Sequence, residues 1–154
     1  MLRETKQSQG TVVLFLWFAF LNSQIVFLVL LFLFWKMNSP AVPLSEAMFW
    51  NPALANDPLV LVLLVMAMTT AGLGLGLGFR YFAAVRTAAE TAGAPKVENT
   101  LYVLALVLCE MTGLYGILIG FVKGPVTLAV PFVLVGMALI GVLFPSGRRF
   151  PKSR

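Results

Sequence analysis

The chain has 154 residues, 60% of them hydrophobic and only 11% charged, with a net charge of +5 and a mean hydropathy of +0.94. So little polar surface cannot cover a water-soluble domain, and lipid is the solvent predicted for most of the chain. Histidine is absent, Cys109 is the single cysteine, and five of the six acidic residues lie outside the long apolar runs, which excludes a disulfide framework, a zinc or other metal cluster and a recognisable cofactor site, and argues against an enzyme.

Four apolar runs follow one another at about 11–35, 58–82, 100–122 and 126–144. A helix crosses a hydrocarbon core of about 30 Å with roughly 20 residues, and the last run is the shortest. Backbone polar groups must be paired within lipid, and these runs lack the period-2 alternation of a barrel strand. The expectation is an all-α membrane protein, a single membrane domain of four transmembrane helices. The first run is too long for a signal-peptide core and no small-residue cleavage site follows it, so it is expected to remain as a helix. Trp17 near its start, Trp35 at its end and Trp50 in the next loop suit interfacial anchoring. That loop also carries Pro40, Pro43 and Pro52, which punctuate helices rather than extend them.

Nine of the eleven basic residues precede the first run, lie between the end of the second and the third, or follow the fourth, with Arg80 at the very end of the second run. This distribution reads as topology rather than as a nucleic-acid surface, and the positive-inside rule assigns both termini and the second loop to the cytoplasm. The second helix is expected to extend past the membrane before the chain turns at Gly93, Ala94 and Pro95. Lys123, Gly124 and Pro125 form a tight turn that makes the third and fourth helices antiparallel neighbours.

The second run contains Gly72, Gly74, Gly76 and Gly78. Gly72 with Gly76 and Gly74 with Gly78 are two G-x-x-x-G pairs, and at about 100° per residue they fall on nearly opposite faces of one helix. Neighbours can therefore approach closely from two sides, as in a ring. Gly116 and Gly120 give the third helix a small-residue packing face. Glu110 is the eleventh residue of that third run, close to the membrane midplane. An ionisable group there costs about 2.5 to 3.5 kcal/mol on insertion scales and generally faces a bundle interior, a water cavity or an ion path. It reads either as a proton carrier or as a fixed hydrogen-bond donor between helices. Asn22, at similar depth in the first run and followed by Phe27 as Glu110 is by Tyr115, hints at a faint internal repeat.

A glycine-alternating helix, a polar cytoplasmic loop and a helix with a midplane carboxylate together resemble the rotor-ring c subunit, or proteolipid, of rotary ATP synthases. The resemblance covers a hairpin at about 69–121 and rests on Gly72 to Gly78, Glu110, Tyr115 and Gly116. It implies that Glu110 is the proton-binding carboxylate, with Tyr115 and Thr112 beside it and the glycines as ring-packing surface. It also implies a homo-oligomeric ring in the lipid bilayer, meeting a stator-like membrane subunit and moving protons. Protons rather than sodium are implied, since Leu77 stands where sodium-type relatives place a glutamine and Glu110 with Thr112 offers too few oxygens. The sequence departs from the family in the residues Glu90, Thr91 and Ala92 of its loop, and in extra helices before and after the hairpin. It thus resembles a divergent c-like protein of a bacterial inner membrane. The alternative is a structural membrane subunit of a larger complex that transports no ion.

Overall fold

A computed structural model describes residues 2–38, 56–90, 99–123 and 126–145, with side chains over 11–37, 56–88, 99–122 and 129–145. The expectations for Trp50, the Gly93 to Pro95 turn, Gly124 and Pro125, and the basic C-terminal tail lie outside those residues. Among the described residues every regular element is helical: α1 (Leu2–Asn38), α2 (Pro58–Glu90), α3 (Thr100–Lys123) and α4 (Val126–Val142). Three of them, α1, α2 and α3, are long and apolar enough to cross a membrane, as an integral membrane protein requires. α4 has 17 residues, about 26 Å of rise, a little less than the hydrocarbon core. α1 and α2 instead run 37 and 33 residues, well beyond the apolar runs that define them.

The ends of these helices explain where they stop and start. Asp57 caps α2, its Oδ1 accepting the backbone N–H of Leu59 at 3.0 Å and of Val60 at 3.4 Å, while Pro58 occupies the first helical position, where a missing N–H costs nothing. The Tyr81 hydroxyl of α2 donates to Asn99 Oδ1 at 3.0 Å, tying the late part of α2 to the residue that starts α3. At the end of α4, Phe144 N–H turns to Gly141 O instead of Ile140 O. The freed Ile140 carbonyl accepts the Trp17 indole N–H at 2.7 Å, and the Leu143 carbonyl accepts the Tyr102 hydroxyl at 3.0 Å. Side chains thus satisfy carbonyls that no helix turn can.

α3 is the hub, packing against α2, α4 and α1, while α1 lies across α3 and α4. Half of its apolar window is buried within the bundle, against 17% for α1 and 22% for α2. One core cluster joins Trp17, Tyr81, Phe82, Tyr102, Ile140 and Leu143 at one end of the helices, and another joins Val60, Leu63, Ala67, Tyr115, Ile119 and Phe132 nearer the other. Between Leu31, Ala129 and Val133 a third seals α1 to α4. The outward residues are large and apolar, Phe15 and Met68 among them, which is the surface lipid favours.

Trp17 therefore differs from its reading as an interfacial anchor: it is a buried core residue whose indole caps α4. Trp35 is half-buried against Phe32, and its Nε1 has no hydrogen-bond partner. Replacing Trp17 with phenylalanine keeps most of the ring but leaves Ile140 O unsatisfied. We expect Trp17→Phe to lower resistance to unfolding in detergent by about 1 kcal/mol, the scale of an interhelical hydrogen bond in a membrane bundle. An unchanged unfolding midpoint would remove the capping role.

Candidate functional site

Glu110 stands where the sequence locates it, near the middle of α3, and the structure adds what surrounds it. α1 and α3 run in the same direction, since Trp17 meets the Tyr102 end of α3 and Leu31 meets Gly120 near the other. Ser23 is thirteenth in the apolar span that starts at Thr11, and Glu110 is eleventh in the span that starts at Thr100, so the two share a depth. There the Ser23 hydroxyl and Glu110 Oε1 are in direct hydrogen-bond contact. One residue on, Gln24 Nε2 donates to the Glu110 backbone carbonyl at 3.3 Å.

Ser23 Oγ also lies 2.7 Å from the Phe20 carbonyl, one turn back along α1. A hydroxyl carries one proton, so it cannot donate to Phe20 O and to a carboxylate together. Both contacts are satisfied when Glu110 is the neutral acid: its O–H donates to Ser23 Oγ, and the Ser23 O–H donates to Phe20 O. With Glu110 ionised, Ser23 must turn to the carboxylate and give up Phe20, whose carbonyl retains its helical partner position. The arrangement thus accommodates a carboxyl in either protonation state with one hydroxyl rotation.

Glu110 and Ser23 are each half-buried. On α3 the strip next to Glu110 that no helix covers includes Leu104, Val107 and Leu118, which are 46%, 37% and 49% exposed. The carboxyl therefore sits at the rim of a lipid-facing strip, flanked on one side by α1. Tyr115 and Thr112 lie elsewhere. Five residues from Glu110 is about 140° around the helix, and Tyr115 is buried in the cluster with Val60, Leu63 and Ala67 of α2. Thr112, about 160° away, is buried with no hydrogen-bond partner for its hydroxyl, on the stripe of α3 that carries Ala105 and Cys109. Neither side chain hydrogen-bonds Glu110 in the structure; Ser23 and Gln24 do.

The glycines divide by environment. A Cβ on Gly74 would come within 2.8 Å of Cys109 Sγ and 3.0 Å of Ala105 O, and one on Gly78 would overlap Leu143, so this pair faces the chain's own α3 and α4. Gly72 and Gly76 have nothing within 4 Å of where a Cβ would stand. Gly116 lets α4 approach, a Cβ there lying 2.6 Å from Ala129 O, and at Gly120 a Cβ would come within 2.8 Å of Leu31 of α1. Two glycines outside the expected set, Gly113 and Gly136, receive the Gln24 amide. Among the described residues no group of three or more His, Cys, Asp or Glu comes together to hold a metal ion.

Sequence reasoning missed Ser23 and Gln24, although a signal existed. Asn22, Ser23 and Gln24 form the polar break in the first apolar run, at the depth of Glu110. Asn22 itself is exposed, and the next two residues turn toward α3. No protein-family model, curated protein or solved structure matches this chain.

Proposed function

We propose that this chain is a c-like membrane protomer in which Glu110 binds and releases a proton at mid-membrane, coupled to a partner subunit. The observation that carries this reading is the contact between a midplane carboxyl and the Ser23 hydroxyl, which can serve the acid and the carboxylate alike. Its place at the rim of the uncovered strip of α3 gives a stator-like membrane subunit a face on which to meet it. The open pair Gly72 and Gly76 on α2 leaves room for a neighbouring protomer, in keeping with a homo-oligomeric ring. The topology that goes with this proposal has both termini on the cytoplasmic side of a bacterial inner membrane. A membrane subunit that only builds a larger complex would need the packing faces but not a carboxyl that changes state.

Carbodiimide labelling separates the two. Dicyclohexylcarbodiimide partitions into lipid and adds a carboxyl group across one of its C=N bonds, with the acid proton going to nitrogen. In native membranes, mass spectrometry is expected to find the adduct on Glu110 and to find it forming more slowly as pH rises. A chain left unlabelled while fully folded would leave the structural reading.

A further inference from the structure

Gln24 is wholly buried at mid-membrane, and the proton site as described above does not need it. Its Nε2 is spent on the Glu110 backbone carbonyl, and its Oε1 has no N–H or O–H donor. That oxygen instead rests in a slot made by two glycines. A Cβ on Gly113 would overlap it, and one on Gly136 would stand 3.0 Å from it, so only the Cα–H groups of glycine allow it in. Gly136 is itself so close to α3 that the same Cβ would be 3.2 Å from Gly113 N. A leucine or methionine would fill such a place without leaving a buried acceptor unpaired, which is a cost. What the amide adds is register: one end grips the backbone of Glu110, the other a notch shared by α3 and α4, and Ser23, the preceding residue, is thereby set against the Glu110 carboxyl.

We propose that Gln24 is the positioning residue of the proton site: seated between Gly113 and Gly136, it holds α1 in the register that places the Ser23 hydroxyl on Glu110. This rests on the proton-binding role of Glu110. α1 is then part of the site, and loosening its register frees the carboxyl. A neighbouring helix that shifts α1 would break the Ser23 contact without touching Glu110.

Labelling rates at one fixed pH test this in native membranes. The variants are Ser23→Ala, Gln24→Met and the two combined. Gln24→Met keeps the length and bulk of the side chain without the amide, whereas Gln24→Ala would leave a hole and confuse packing with register. Native size in mild detergent verifies folding of each. Each single variant is expected to speed dicyclohexylcarbodiimide labelling of Glu110 about threefold or more, and the double to be no faster than the faster single, because residues acting through one contact are not additive. Labelling of Gln24→Met at the wild-type rate overturns the proposal. So does a double variant in which the two factors multiply, since Gln24 would then not act through Ser23. An unlabelled wild-type chain instead overturns the proton site, and this inference with it.

Discussion

Gly113→Ala is expected to unseat α1 from α3 and to cost the bundle about 3 kcal/mol. A Cβ at this position would overlap Gln24 Oε1 and lie within 2.8 Å of both Cδ and Nε2, so the amide has to leave its slot. Forcing a methyl group into a filled core costs about 1–3 kcal/mol. A displaced amide that loses the Glu110 carbonyl adds about 1–3 kcal/mol for a buried polar group left unpaired. Gly76→Ala is the matched control, since nothing stands within 4 Å of its Cβ position. There the only change within one chain is the backbone freedom of glycine, and alanine should raise helix stability by about 0.5–1 kcal/mol. Unfolding in mixed micelles of rising dodecyl sulfate content, followed by tryptophan fluorescence, to which the buried Trp17 contributes, reads both. Equal midpoints for the two variants would mean that Gln24 does not sit where the structure puts it.

That contrast marks how far the sequence could be read. Spacing alone separates Gly72 and Gly76 from Gly74 and Gly78, because a helix period converts positions into faces. It cannot say which pair the chain covers itself, because that depends on Cys109, Ala105 and Leu143, which reach the second pair across 31 to 65 positions of sequence. Likewise the apolar runs predict helices at the right places, since lipid leaves the backbone few alternatives. The extra turns of α1 beyond its run are not set by hydropathy, whereas the polar stretch after the second run already points to a longer α2. The start of α2 coincides with the start of its apolar run at 58, where Asp57 caps the helix and Pro58 opens it.

The site was legible in part for the same reason. Glu110 stands out because any charge in such a run does. Its neighbours do not, because a nearly uniform apolar surface carries no moment that says which side of α1 or α4 turns inward. Tyr115 and Thr112 came from the resemblance to a two-helix hairpin, in which nothing packs over α3 from the side of α1. In this chain α1 is present, and the residues near Glu110 are the polar ones that α1 brings to the same depth. Ser23 and Gln24 differ from Asn22 by one and two steps of about 100°, enough to put the first two on α3 and the third in lipid.

Glu110→Gln is expected to abolish proton binding while leaving the bundle standing. The amide is close in size to the carboxyl, and its oxygen can accept from Ser23, or its N–H₂ can donate to Ser23 Oγ while the hydroxyl serves Phe20. Interhelical hydrogen bonds in membranes average about 0.6 kcal/mol, so even an imperfect exchange should shift stability by less than about 1 kcal/mol. The functional change is far larger, since an amide neither ionises nor reacts as an acid. Carbodiimide labelling at residue 110 should fall to background at every pH, and any proton movement that depends on the chain should stop, with oligomer size in mild detergent unchanged. Glu110→Leu supplies the comparison: it removes labelling too, but leaves Ser23 facing an apolar group, so stability and activity change together. If membranes carrying Glu110→Gln move protons as the wild type does, the carboxyl is no carrier, and its bond to Ser23 is one more tie between α1 and α3.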